Sequence, residues 1–383
     1  MNRYAVFGLG RMGEAIVYDL LQNDPDCVVH GFEYSEEVLN IISVKYSEYV
    51  NNGRLCLDQI DITSLNEHQI SKYLKDVSVT FGAIDYSYNY KLTKACINAI
   101  SSFLDLGGNP AVVREQRKLH KLALETNLTI LPDCGLAPGM ADVLAKIKID
   151  EIGDVEECHI RVGGLPQDPR TQLKYQQVFS IRGLTNEYLE DAIVLRDGKI
   201  TTVPSLTEVE ELAFPEPYGK LEAFQTAGGT SSLPEIYEGK IKELTYKTIR
   251  YPGHVQYFQF LKEFGLLSSE QIEKYGIDPR KVVEYCLEHT LPQNEPDVVL
   301  VKIRIVTKES KVFEWVIIDK EDKKTGFSAM ARTTAFPISI LGQMIANGKI
   351  TERGVVAGEN VTPADDFIKE LKKRNIVLNE YNV

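Results

Sequence analysis

Through the first third of the chain, short apolar runs alternate with longer stretches whose apolar positions recur at helical spacing. The pattern predicts a strand over 4–7, a helix over 12–21, a strand over 27–33 and a helix over 37–43. It continues with strands over 55–57, 77–84, 103–106 and 129–131, separated by helices over 67–74, 90–100 and 114–126. Strands that alternate with helices need right-handed crossovers, so the sheet they build is parallel and covered on both faces. Six strands in this rhythm predict an α/β fold, a Rossmann-type doubly wound parallel sheet over residues 1–132.

The rhythm changes after Pro132. Pro138 opens a helix over 139–148, where a proline fits the first turn. Longer strands follow over 157–162, 175–181, 192–195 and 200–204, with Asp197-Gly198 as a hairpin turn between the last two. Further strands are expected over 221–226, 244–250, 298–306 and 312–318. Residues 133–328 therefore predict a second α+β domain on an open mixed sheet. Two helices, over 329–347 and 363–374, close the chain, and the segment 329–383 is expected to pack back on the first domain.

Composition narrows the class. A chain of 383 residues with 43% hydrophobic and 26% charged residues has the balance of a soluble globular protein, with material for two or three cores. Its net charge of −12 repels phosphate backbones, so no nucleic-acid partner is expected. Cys27, Cys56, Cys96, Cys134, Cys158 and Cys286 lie far apart with no C-x-x-C pair, which predicts reduced thiols and no metal site. The chain enters a strand almost at once, without a signal-peptide layout, and no run of about 18 apolar residues suits a membrane span. A cytoplasmic location is the expectation.

The first chemical feature is Gly8-Leu9-Gly10-Arg11-Met12-Gly13, placed between a predicted strand and helix. Gly8 permits a tight turn, Gly10 lets a pyrophosphate approach the backbone, and Gly13 allows close helix–strand packing. The helix start offers unpaired N–H groups to the phosphates. Glu33, about 20 residues beyond the motif, ends the second strand, where a carboxylate accepts from the adenosine ribose hydroxyls. Such an acid repels a 2′-phosphate, and Tyr34 and Ser35 supply no cation, so NAD is expected in preference to NADP. Arg11 is the counterweight, since it could reach a 2′-phosphate. Ligands on this fold bind beyond the carboxyl ends of the strands, which brings in Asp85, Asp105, Gly107 and Asp133. Gly107-Gly108 reads equally as a simple turn.

Asp133-Cys134-Gly135-Leu136-Ala137-Pro138-Gly139-Met140 resembles the D-x-G-x-x-P-G stretch of the saccharopine dehydrogenase-like family, and Leu104-Asp105-Leu106-Gly107-Gly108 is similar to another of its elements. Thr226-Ala227-Gly228-Gly229-Thr230-Ser231-Ser232 followed by Arg250-Tyr251-Pro252-Gly253-His254 looks like its lysine dehydrogenase-like branch. The resemblance covers almost the whole chain. It implies NAD(P)-linked chemistry at a C–N bond, an amino-acid substrate and a homodimer paired through the second domain. Oxidative deamination as in L-lysine 6-dehydrogenase is the leading expectation. A saccharopine- or carboxynorspermidine-type reductase that joins an amine to a carbonyl is the alternative. A dinucleotide-binding protein without turnover is the reading from another class. One departure concerns the pocket wall: where the branch leads one to expect a Trp-Ser pair, this chain reads Val178-Phe179-Ser180, and its single tryptophan is Trp315.

Amine oxidation needs a base for the ammonium and groups that hold the substrate. His254 is the candidate acid/base, because imidazole titrates near neutrality, with a helix-capping histidine as the competing reading. Asp105 and Asp133 could hold a substrate ammonium, and for Asp133 an acid near a helix start competes. Thr230 and Ser231, with Arg250 as charge partner, could bind a substrate carboxylate, against the plain reading of a polar loop. Cys134 lacks a matched His/Asn setting and reads as a small buried residue.

Overall fold

The computed structural model describes residues 1–382 and divides into two compact units, one of residues 1–143 with 331–375, the other of residues 144–330 with 376–382. The first unit begins with β1 (Arg3–Phe7), β2 (Val28–Glu33), β3 (Leu55–Gln59), β4 (Val79–Gly82), β5 (Ser102–Asp105) and β6 (Thr129–Leu131). The second holds β7 (Val155–Pro166), β8 (Ala192–Arg196), β9 (Lys199–Val203), β10 (Glu210–Phe214), β11 (Gly219–Gln225), β12 (Glu243–Arg250), β13 (Asp297–Thr307) and β14 (Val312–Lys320). Late in the chain, β15 (Gly354–Val355) joins the first sheet and β16 (Asn379–Asn382) the second.

The first sheet runs β15-β6-β5-β4-β1-β2-β3, with every pair parallel. The chain moves outward from β1 to β3, then crosses over to β4 on the other side of β1. Strand order therefore reverses between β1 and β4, the point where the loops diverge and a crevice opens on this fold. Helices cover both faces, so the central strands are apolar on both sides and Tyr4, Val6, Phe7, Phe81 and Phe103 are fully buried. The α/β reading of the sequence is the fold observed.

The late segment 331–375 belongs to this unit, held by the β15–β6 pairing and by a buried ion pair. Arg374, just after the helix Ala364–Lys373, grips Asp19 on the helix Arg11–Asn23 in a bidentate pair, Nε to Oδ1 at 2.6 Å and Nη2 to Oδ2 at 2.9 Å. Both side chains are buried. A buried fork of this kind is costly to break from one side, about 3–5 kcal/mol. The last residues leave the unit and pair as β16 with β14, a strand the hydrophobic pattern did not announce.

The second sheet is mixed, ordered β10-β11-β12-β7-β13-β14-β16, with β8 and β9 branching from β12. Only β7 and β12 pair in parallel. Asp197 and Gly198 both take left-handed backbone angles, φ +48° and +75°, as a two-residue hairpin between β8 and β9 requires. Two expectations change here. The unit boundary falls after residue 143 rather than 132, inside the helix Met140–Ile152. The strand expected over 175–181 is a loop leading into the helix Ile181–Leu189, which Ser180 caps by accepting from Gly183 N. Ile181, Leu184, Thr185 and Tyr188 are its buried face, a helical i, i+3, i+4, i+7 set that the alternation before it concealed. Among the described residues no helix is long and apolar enough to cross a membrane.

Candidate active site

Three residues, Gly8, Leu9 and Gly10, separate β1 from the helix Arg11–Asn23. Gly8 has φ +85°, and a Cβ there would lie 2.6 Å from the Ala83 carbonyl oxygen. A Cβ on Gly13 would lie 1.7 Å from the Gly8 oxygen. Packing inside the protein thus demands both glycines. Gly10 differs: its φ is an ordinary −66°, and a Cβ would meet nothing within 4 Å. It is exposed at the helix start, where no side-chain cap closes the helix.

Glu33 closes the same turn. Its Oε2 accepts from Leu9 N at 2.8 Å, and its Oε1 from Tyr34 N at 2.9 Å and Ser35 N at 3.1 Å. A carboxylate offers about four acceptor positions, so the three backbone bonds leave one for a ribose hydroxyl. The residues present fit a dinucleotide: open donors and a bare Gly10 for the pyrophosphate, a fixed acid for the ribose. Arg11 is exposed and Met12 half-buried beside them.

Because all strands are parallel, the loops carrying Asp85, Gly107 and Asp133 emerge at the same edge as Gly8. Asp85 is engaged locally, its Oδ1 accepting from Ser87 N at 2.9 Å and from Ser87 Oγ at 2.5 Å. Asp105 is fully buried and already partnered. Its Oδ1 accepts from Gly107 N at 2.8 Å and Asp133 N at 3.4 Å, and its Oδ2 from Gln116 Nε2 at 2.6 Å. Burial pushes its pKa up to about 6, against those three donors. This corrects the expectation of an ammonium site at Asp105: the carboxyl clamps the loops after β5 and β6 and has no surface to offer. Asp133 occupies a left-handed turn, φ +60°. Cys134 is buried, and burial with the charges of Asp105, Asp133 and Glu359 pushes its thiol well up, so it is no nucleophile.

The second unit carries a different constellation. Arg250 ends β12 and is almost wholly buried. Its Nε donates to the Tyr188 hydroxyl at 3.0 Å and its Nη1 to the Ile249 carbonyl at 2.9 Å. The Tyr188 hydroxyl, its oxygen occupied by Arg250, turns its own proton to His254 Nε2 at 3.0 Å. His254 Nδ1 then donates to the Leu173 carbonyl at 2.9 Å. Both imidazole nitrogens are spent. Burial, reinforced by the Arg250 charge, lowers the His254 pKa to about 3. A neutral ring with its lone pair on Tyr188 is no poised acid or base, and its side chain does not cap the helix His254–Glu263 either. The caps come from Glu222 on β11, whose carboxylate accepts from Gly253 N at 2.9 Å and Val255 N at 2.8 Å.

Arg250 and His254, both singled out in the sequence, are therefore brought together by a residue that was not, Tyr188. The loop 226–232 reaches the same helix through Ala227 N and the Glu187 carbonyl oxygen, 2.9 Å apart. Within that loop Thr230 is buried, with a long contact from Oγ1 to the Ile193 carbonyl at 3.4 Å, and Ser231 is half-buried at φ +41°. Glu187 and Tyr175 also escaped the sequence reading. The usable signal was a glutamate beside Tyr188, at the edge of the buried face made by Ile181, Leu184, Thr185 and Tyr188.

Sheet order and glycine turn place the chain in the Rossmann class of two-domain proteins. The model of the saccharopine dehydrogenase C-terminal domain matches residues 135–377. The chain belongs to the saccharopine dehydrogenase family. It is 25% identical over 228 residues to saccharopine dehydrogenase [NADP(+), L-glutamate-forming] of Saccharomyces cerevisiae, an alignment covering 57% of this chain and 49% of the relative. The corresponding enzyme of Pyricularia oryzae is 22% identical over 334 residues, 67% and 74% of the two chains. The alignment thus spans about half the length of the yeast relative. Among solved structures, apo saccharopine dehydrogenase (L-Glu forming) from Saccharomyces cerevisiae superimposes with a TM-score of 0.79 at 19% identity, covering 100% of both chains. Homospermidine synthase from Legionella pneumophila in complex with NAD gives 0.70 at 12% identity, covering 100% of this chain and 91% of that one.

Proposed function

We propose that the chain is an NAD(P)-linked oxidoreductase acting at a C–N bond of an amino acid. The cofactor half rests on Gly10, where the protein itself has no need of a glycine and leaves a bare, uncapped helix start. The amino-acid half draws support from Arg250, a buried guanidinium whose Nη2 makes no hydrogen bond among the described residues, as expected of a group kept for a carboxylate. When bound, the nicotinamide takes or returns a hydride at the carbon that bears the nitrogen. The chain's own part is to hold the two ends of the substrate and keep Arg250 in place through Tyr188 and His254.

Oxidative deamination of L-lysine is the first substrate reading. The names of the curated relatives favour a second, saccharopine-type chemistry that joins or splits an amine and a carbonyl compound, with L-glutamate as the amine released. NAD is proposed over NADP because Glu33 would face a 2′-phosphate, although the yeast relative is named for NADP(+).

Binding and turnover separate these readings. NADH titration is expected to show affinity at least about tenfold above NADPH, since a charge-assisted bond to ribose contributes roughly 1.5–3 kcal/mol. Gly10→Val is expected to abolish that binding with the melting temperature unchanged. NADH formation from L-lysine, and little from cadaverine, supports the deaminase. NADH oxidation that requires both an amine and a carbonyl compound selects the reductase. Tight NADH binding with no turnover across amines, aldehydes and keto acids would leave a binding protein.

A further inference from the structure

Glu187 lies one residue before Tyr188 on the helix Ile181–Leu189, deep within the second unit yet with accessible surface left on its side chain. Its carboxylate accepts no hydrogen bond and makes no direct ion pair among the described residues. The charge it feels is that of Arg250, which in turn feels Glu187, Tyr188 and Tyr175. The guanidinium carbon sits 5.0 Å from the Tyr175 ring centroid and 5.9 Å from that of Tyr188. Arg250 is 2% exposed, and among the described residues neither its Nη2 nor the Tyr175 hydroxyl has a hydrogen-bond partner. A cation, a carboxylate and a phenol thus share one neighbourhood, each with a polar tip that no described residue engages and that is not sealed from solvent. Polar tips left open beside one another in an otherwise buried setting are the means by which a pocket fixes and selects a ligand.

We propose that Glu187 binds the α-ammonium of an amino acid whose carboxylate is held by Arg250, so that the second unit recognises the α-amino-carboxylate end of its ligand. The proposal rests on the reading of Arg250 as a carboxylate binder and adds the residue that distinguishes an amino acid from a plain acid. Ammonium and carboxylate on one α-carbon need an acceptor and a donor close together, which adjacent elements α-helical at 187 and extended at 250 supply. Burial raises the Glu187 pKa to about 7 while Arg250 holds it from rising further, so the empty protein carries this group partly protonated near neutrality. An arriving ammonium favours the ionised form and expels that proton. The titratable groups facing it are Arg250, Tyr188 and Tyr175, none of which changes charge between pH 5 and 8.

Calorimetry on the full chain with NADH present compares L-lysine with 6-aminohexanoate, and L-glutamate with glutarate. At pH 8 the parent protein is expected to prefer the α-amino member of at least one pair by about 10- to 100-fold, the range of a charged hydrogen bond. Glu187→Gln is expected to cut the preference to about threefold or less, by weakening the amino acid and sparing the plain acid. Lowering the pH from 8 to 5.5 is expected to weaken amino-acid binding about tenfold or more in the parent and leave Glu187→Gln flat. A preference that survives in Glu187→Gln overturns the proposal and leaves Arg250 standing. Failure of the parent to bind any of the four carboxylates overturns the Arg250 reading, and this proposal with it.

Discussion

Asp105 in the first unit and Glu187 in the second are both deeply placed carboxyl groups, and burial raises both pKa values, to about 6 and about 7. Their surroundings are opposite. Asp105 takes three donors from Gly107, Asp133 and Gln116, which lock two loops at the edge of the first sheet. Glu187 takes none. A shifted pKa alone therefore does not mark a functional group, since desolvation acts on clamp and binder alike. The unused lone pairs are what separate them. The same contrast holds for the basic residues: Arg374 spends its fork on Asp19, while Arg250 keeps Nη2 in reserve.

The strongest test of this comparison is to remove the reserve. Arg250→Met keeps the length of the side chain and deletes its charge. It is expected to lower kcat/KM for the amino-acid substrate by about 10³-fold or more, because a pocket built for a charged group is left without it. NADH affinity, set in the other unit, is expected to stay unchanged. Activity within about tenfold of the parent would mean that the buried guanidinium is structural, like Arg374.

Next comes the same truncation at both carboxyls. Asp105→Ala strands the buried Gln116 amide and two half-buried backbone donors, the buried one worth about 1–3 kcal/mol, so a loss of about 2 kcal/mol or more of folding stability is expected. Glu187→Ala strands none, and above pH 7 it removes a charge held in an unfavourable place. A group whose pKa is raised on folding loses stability as pH rises through its folded value. Glu187→Ala is thus expected to melt no earlier than the parent at pH 8, with the gain disappearing at pH 5. Equal losses at the two sites in chemical denaturation would erase the distinction.

A smaller effect is expected at His254. If it only steadies Tyr188 and Arg250, His254→Asn should raise KM about tenfold, change kcat little and leave the shape of the parent's pH profile unaltered. A fall in kcat of about 10²- to 10⁴-fold with KM intact would restore the acid/base part that its sequence setting suggested.

That suggestion shows where the sequence stops. The parallel sheet was legible because βα alternation and buried apolar runs are local signals, and the glycine turn because backbone sterics admit few residues there. Asp197-Gly198 announced its hairpin for the same reason. The helix Pro279–Thr290 carried a signal that went unused, Asp278 as its cap with Pro279 in its first turn. His254 stood out as a lone imidazole after a Pro-Gly turn, but its chemistry depends on Tyr188, 66 residues away. Asp105 looked available because its position at a strand end is visible in the sequence, whereas Gln116 turning its amide onto it is not. Glu187 fell in the stretch between the strands expected over 175–181 and 192–195, where the pattern announced no element and the structure has a helix. Partnership between distant side chains, rather than residue type, decided each of these cases.

Asp142 carries the comparison to its smallest expected effect. It lies in the first turn of the helix Met140–Ile152, fully buried, with Oδ2 accepting from Gly139 N at 2.8 Å. Its Oδ1 has no partner. Burial, with the negative charges of Glu359 and Asp133, pushes its pKa well above the ordinary carboxylate range. The neutral acid is then the resident form at low and middle pH, and an amide of the same shape imitates it. Asp142→Asn keeps the acceptor for Gly139 N, so it is expected to match the parent below the ordinary carboxylate value of about 3.9, where the acid is protonated folded or unfolded. Above that value the unfolded chain sheds a proton that the folded parent retains, so the parent loses stability as pH rises toward the raised folded pKa, and the amide has nothing to lose. The variant should therefore draw progressively ahead as pH rises from about 4, in contrast to Asp105, whose three donors make substitution costly. A variant that melts earlier than the parent at pH 9 would show that Asp142 works ionised, and would move it from the clamped carboxyls to those kept for a cationic partner.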